Sequence, residues 1–83
     1  MSLQVHVQFH SYFRELTGCP ETTECVEPGS DLGQLLKQLH ARFPRLMAMQ
    51  NSTLTAVGLD YQDRTYKLKE GDEVSLFPPV QGG

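Results

Sequence analysis

One stretch of this 83-residue chain carries an apolar stripe at helical spacing, and it is the feature every candidate fold must satisfy. Leu32, Leu35, Leu36, Leu39 and Phe43 all fall on one side of a helix, and Pro44 ends it because a proline can neither donate the next backbone bond nor fit the turn before it. The helix opens from "EPGSDL". Pro28-Gly29 closes whatever precedes, Ser30 is the predicted N-cap, and Asp31 sits in the first turn, where the positive end of the helix dipole favours a carboxylate. A lone helix with one greasy face must bury that face. No second stripe exists to receive it, so the rest of the chain must supply a sheet.

The flanking segments read as that sheet. Leu3, Val5, Val7 and Phe9 alternate with Gln4, His6 and Gln8, the period-two pattern of a half-buried strand. Tyr12 to Leu16 reads as a linking segment, and Thr17-Gly18-Cys19-Pro20 is dense in turn formers. "TTECV", residues 22–26, then returns as a hairpin partner for the first strand. After the helix, Met47 and Met49 lie in an irregular or single-turn stretch as flexible filler. Leu54–Leu59 is predicted as a third strand, Tyr66–Leu68 as a short fourth and Glu73–Phe77 as a fifth, which starts after the Lys69–Asp72 turn. Strand, strand, helix, strand, strand, strand is an α+β order. With the first and last strands side by side and parallel, joined by a right-handed path through the helix, it is a β-grasp: a mixed five-stranded sheet with one main helix packed across it. Residues 1–77 are expected to form a single domain and 78–83 a flexible tail.

Composition narrows the function. Seven basic and ten acidic side chains give a net charge of −3 with no Lys/Arg cluster, which disfavours a nucleic-acid partner. No apolar run approaches the roughly 18 residues of a membrane span, and the N-terminus lacks the features of a signal peptide, so the expected location is cytoplasmic. Cys19 and Cys25 are the only cysteines, expected as a loop thiol and a half-buried small hydrophobe, and two thiols do not make a structural zinc or iron–sulfur site. On a strand, His6 and His10 stand about 13 Å apart, too far to share an ion, so no metal site is expected. There is no Ser/His/Asp set and no phosphate loop. A domain this small has no room for a deep pocket.

What remains is the end of the sequence, "FPPVQGG". Pro78 and Pro79 cannot donate to a sheet and push the chain outward in an extended form. Six residues from Pro78 to Gly83 reach roughly 20 Å. Gly82 and Gly83 have no Cβ, so a partner enzyme can close around them and bring the carboxylate against a nucleotide phosphate through a channel too narrow for other residues. Two final glycines arise by chance in about one chain in 200. It is the combination with the diproline and the apolar Val80 at the end of a strand that gives the pair weight.

Phe9 with "RELTG" at 14–18, "EGDEVSLFPPV" at 70–80 and the Gly82-Gly83 end together resemble the ThiS/MoaD family of ubiquitin-like sulfur carriers, and within it the small subunits of molybdopterin synthase. Gly-Gly alone fits thiamin-pathway carriers and protein modifiers equally well. The resemblance implies that a ubiquitin-activating-type enzyme adenylates Gly83 with ATP and that a persulfide donor converts it to a thiocarboxylate. The tail then delivers sulfur to cyclic pyranopterin monophosphate in the synthase large subunit, in a complex of two small and two large subunits. It implies a non-catalytic sulfur-donor subunit that binds no cofactor of its own, with the catalytic acids and bases on its partners. Gly83 is then the reacting residue, and Phe77, Pro78, Pro79, Val80, Gln81 and Gly82 contact the partner.

Several residues carry narrower expectations. Phe77 should lie on the sheet face opposite Val74 and Leu76. Arg14 and Glu15 are expected as a structural ion pair or turn clamp, Asp72 as a turn cap and Glu73 as an exposed strand start. Two positions depart from the pattern usual in such families: Gly58 stands in "AVGLDY" where an Asn is common, and His10 stands where an aromatic often follows the first-strand Phe. Both are expected on the docking surface.

Overall fold

The alternation of the first strand is met in full by the computed structural model, which describes residues 1–49 and 52–79. Strand β1 (Leu3–Phe9) buries Val5, Val7 and Phe9 and turns Gln4, His6 and Gln8 away from the core. β2 (Glu21–Val26) pairs with it antiparallel, with Leu3 opposite Val26 and Gln8 opposite Glu21.

Between them the chain makes a five-residue helix, α1 (Phe13–Thr17), where the sequence predicts only a link. Phe13 is its one buried residue, so no stripe advertises it. That single ring is fully enclosed, and removing it would cost about 3–5 kcal/mol. Gly18 ends the helix in the left-handed conformation (φ 79°) and donates its N–H to the Arg14 carbonyl, a position where a side chain is disfavoured. The Arg14 Nε reaches the Ser11 carbonyl at 3.5 Å, so Arg14 is a turn clamp on its own backbone and not an ion pair with Glu15.

Helix α2 (Leu32–Arg42) lies where the stripe predicts, with Leu32, Leu35, Leu36 and Leu39 buried. Its N-cap is Asp31 and not Ser30. The Asp31 carboxylate accepts from the Gln34 N–H at 2.9 Å, and the Gln34 side chain accepts in return from the Asp31 N–H at 3.0 Å. This reciprocal box satisfies two otherwise orphaned donors and fixes the cap one residue later. Phe43 closes the helix, and Pro44–Met49 winds on as a 3-10 turn in which Leu46 is buried and Met47 half exposed to solvent, so Leu46 is the core filler there.

β3 (Leu54–Val57) is shorter than predicted because Gly58 turns with φ 62°, sending the chain back as β4 (Asp60–Tyr61). The fourth strand is therefore Asp60–Tyr61 and not Tyr66–Leu68. The latter segment instead runs beside the start of α2, through an isolated Asp31–Lys67 bridge, and drops Leu68 into the core. Tyr66 donates to the Asp72 carboxylate, and burial together with that neighbouring charge pushes its phenol up from the ordinary value. Asp72 also accepts from the Lys69 N–H at 2.8 Å, the turn cap expected of it.

β5 (Glu73–Phe77) enters the middle of the sheet, parallel to β1 and antiparallel to β3. The order across the five-stranded sheet is β2-β1-β5-β3-β4. One core holds the inward side chains of β1 and β5 against the leucines of α2, with Phe13, Leu46 and Leu68 closing its edges. This is the β-grasp, a mixed sheet carrying one main helix. No helix among the described residues is long and apolar enough to cross a membrane.

Candidate functional site: the outer sheet face at the root of the C-terminal segment

Period two decides which side of β5 each residue serves. Val74 and Leu76 are buried beneath α2, so Ser75 and Phe77 face the other side of the sheet. Because β5 is a central strand, Phe77 has a neighbour on each flank. Leu54 of β3 is its register partner, and His10, just past the end of β1, stacks on its ring with centroids 4.3 Å apart and planes 14° from parallel. Tyr61 on β4 approaches the same ring at 6.2 Å, tilted by 59°.

The helix-free face therefore carries Leu54, Tyr61, Phe77 and His10 together at one end. Tyr61 is 70% exposed and Leu54 38% exposed. Large apolar groups left in contact with water side by side, aromatic ones above all, are what protein interfaces are made of. Leu59, wholly exposed, sits at the tip of the β3–β4 turn, toward the start of β5 and away from this cluster. The turn itself depends on Gly58, whose left-handed φ is one that Asn, among residues with a side chain, tolerates best. Of the two departures from the family pattern, His10 joins the cluster, whereas Gly58, whose N–H donates to the Glu73 carbonyl, turns the chain at the opposite end of β5 from Phe77 and so lies away from it, contrary to expectation.

Pro78 and Pro79 leave directly from Phe77 and are half-buried. Lacking N–H groups, they stop the ladder at that point. The remaining predicted site residues, Val80, Gln81, Gly82 and Gly83, lie outside the described residues.

His10 is held in place twice. Its backbone N–H donates to the Leu76 carbonyl at 3.1 Å, and the next residue, Ser11, takes a positive φ of 57°, unusual for a residue with a side chain. The imidazole Nε2 is buried and has no hydrogen-bond partner among the described residues. His6, on the same face, is 2.8 Å from the Glu21 carboxylate. No cluster of three or more metal-ligating side chains occurs among the described residues. Cys19 packs against the core and Cys25 is exposed, so it is the turn cysteine, and not the strand one, that serves as the small hydrophobe.

The outward placement of Phe77 was legible from the strand period. The company it keeps was not, because the His10 and Tyr61 contacts depend on which strands flank β5 and in what register.

Known proteins share this architecture. The ThiS family matches residues 7–83. The chain is 33% identical over 84 residues to the molybdopterin synthase sulfur carrier subunit of Chlamydomonas reinhardtii, covering 98% of this chain and 100% of the relative. It is 32% identical over 83 residues to the human protein of the same name, covering 96% of this chain and 94% of that one. Among solved structures, a putative molybdopterin converting factor subunit 1 from Pyrococcus furiosus superimposes with a TM-score of 0.87 at 26% identity, over 95% of this chain and 100% of that one. The chain belongs to the ThiS family, in which its near full-length relatives are molybdopterin synthase sulfur carrier subunits.

Proposed function

We propose that this protein is the sulfur carrier subunit of molybdopterin synthase, and that its chemistry is performed on the carboxylate of Gly83 inside the active sites of partner proteins. The observation that carries the reading is a coincidence of two features. The chain resembles sulfur carrier subunits over nearly its whole length, and its exposed aromatic cluster sits at the point from which the Gly82-Gly83 segment departs.

The carboxylate of Gly83 is a poor electrophile. A ubiquitin-activating-type partner joins it to AMP from ATP with release of pyrophosphate, giving a mixed anhydride that a persulfide attacks with loss of AMP. Cleavage of the resulting acyl disulfide by a reducing thiol leaves the thiocarboxylate. Ionised at neutral pH, that sulfur is a nucleophile on a tethered arm, and tethering replaces diffusing sulfide by a positioned reactant. The large subunit supplies the pocket for cyclic pyranopterin monophosphate, and two transfers build the dithiolene. Leu54, Tyr61 and Phe77 dock the domain while Pro78 to Gly82 span the distance into the partner. The assembly pairs two small with two large subunits in the cytoplasm. No nucleic acid or membrane takes part, and the carrier binds no cofactor of its own.

The test is the mass of the C-terminal tryptic peptide from protein isolated out of its own host with the pathway induced. Cleavage after Lys69 yields "EGDEVSLFPPVQGG", which contains neither Met nor Cys, so oxidation cannot imitate the exchange of oxygen for sulfur. Sulfur in place of one oxygen, localised to Gly83, supports the proposal. An unmodified carboxylate in cells actively making the cofactor overturns it.

A further inference from the structure

The His10 imidazole is a polar group set in an apolar docking cluster, and three separate observations meet on it. Its ring lies flat on Phe77, the last residue before the diproline. Its Nε2 is buried without a hydrogen bond among the described residues. The residue that follows it, Ser11, holds a left-handed backbone conformation that a side chain disfavours, and such strain is retained where the surrounding structure has a use for it. A buried ring nitrogen left unpaired is a standing cost in the free domain, so whatever supplies its partner gains by doing so.

We propose that His10 is a specificity-determining residue of the docking face, and that its Nε2 is hydrogen-bonded across the interface by a polar group of the molybdopterin synthase large subunit. The inference rests on the function proposed above and deepens it. The occupant follows from continuity: His10 touches Phe77, and Phe77 is joined directly to the segment that must enter the large subunit. The imidazole as a whole is only half-buried. A docked partner that shifts the ring within its stack on Phe77 reaches the nitrogen and supplies the bond the free domain lacks.

A partner surface that is apolar at this point leaves Nε2 unpaired, whereas one with a correctly placed donor or acceptor completes it. The stack contributes contact area to any partner. The nitrogen distinguishes between partners.

The experiment uses the full chain, labelled with 15N in its three histidines, and the large subunit from the same organism. The ring nitrogens are recorded free and in the saturated complex, and affinity is measured for the wild type and for His10→Phe, which keeps a stacking ring and removes the nitrogen. The expected result is a displacement of the His10 Nε2 resonance on binding, with His40, on the helix side of the sheet, unmoved. Roughly tenfold weaker binding of His10→Phe accompanies it, at a melting temperature no lower than that of the wild type because the unpaired nitrogen is gone. A His10 resonance that stays put in a saturated complex overturns the inference while leaving the proposed function standing, as does equal affinity of a folded His10→Phe. Failure of the wild-type chain to bind the large subunit at all overturns both. The resonance measurement needs no substitution and decides the matter even where His10→Phe does not fold.

Discussion

Glu24, the second inward position of the edge strand β2, is 4% exposed and forms an ion pair with Arg42 in the last turn of α2. Gln38, one turn earlier, donates to the same carboxylate at 2.7 Å and to the Cys25 carbonyl at 3.1 Å. A polar clasp thus ties the helix to the outermost strand, where the leucine stripe no longer reaches. Arg42→Ala leaves a buried carboxylate short of its counterion and is expected to lower stability by about 2 kcal/mol in urea unfolding. Adding Glu24→Leu removes the stranded charge and should recover most of that loss. It should not recover all of it, because Arg42 also lies over the Phe43 ring at 5.2 Å.

The elements that declare themselves in the sequence are those whose burial is periodic over many residues. β1 and α2 each expose one side and bury the other, and their patterns can be read without knowing what they pack against. The parts that escape have one buried residue or none. Helix α1 is anchored by Phe13 alone, and its clearest local signal is Gly18 placed to end it. β4 has only two residues, while Tyr66–Leu68 alternates convincingly but docks against the start of α2. Asp31 and Ser30 are both good caps, and the glutamine three residues after Asp31 decides between them. Glu24 reads as one more alternating residue, and only the fold shows that its alternation points inward. At the site, Phe77 could be assigned to the outer face from period two, whereas its contact with His10 waits on the β1–β5 register.

The helix cap offers a quantitative check. Asp31→Ala removes the acceptor for the Gln34 N–H and breaks the reciprocal box, an expected loss of about 1 kcal/mol. In a domain of this size that corresponds to a fall of roughly 4–8 °C in melting temperature, measurable by circular dichroism. Ser30→Ala, at the position the sequence first favours, should change stability much less.

His40 gives stability a pH dependence. It is 7% exposed, and burial, reinforced by the neighbouring Arg64 guanidinium, lowers its pKa from the ordinary 6.5. As pH falls below 6.5, the unfolded chain takes up a proton that the folded chain resists, so stability declines with pH until the lowered folded pKa is passed. Above the ordinary value His40 contributes no slope. The urea midpoint of the wild type should therefore fall between about pH 6.5 and pH 5.5, before most carboxylates titrate. In His40→Gln that decline should be markedly smaller, and identical slopes for the two proteins would refute the assignment.

Phe77 is expected to behave as an interface anchor and not as a core residue. It is half-buried on the outer face, with Val74 and Leu76 carrying the burial for β5. Phe77→Ala should cost at most about 1 kcal/mol of folding stability while weakening association with the large subunit by roughly thirtyfold or more, as truncation of an aromatic anchor does. Leu76→Ala should show the reverse, about 2–5 kcal/mol of stability lost, with the docking cluster itself untouched. Titration calorimetry beside urea unfolding separates the two behaviours.

The last prediction concerns the reacting end. Gly83 is joined to the domain only through residues beyond Phe77, and the buried cluster among the described residues is formed by side chains up to Leu76. Deleting Gly83, or appending one alanine after it, should abolish adenylation by the activating enzyme and with it thiocarboxylate formation. The unfolding free energy should stay within about 0.5 kcal/mol of the wild type. In the proposed chemistry, deletion would withdraw the carboxylate from the nucleotide by one residue, roughly 3.5 Å, and addition would place a Cβ in a channel shaped for none. Release of pyrophosphate from ATP, measured with each purified variant and the activating enzyme, reads the step directly, and full activity of the Gly83 deletion would refute the proposed chemistry at this residue.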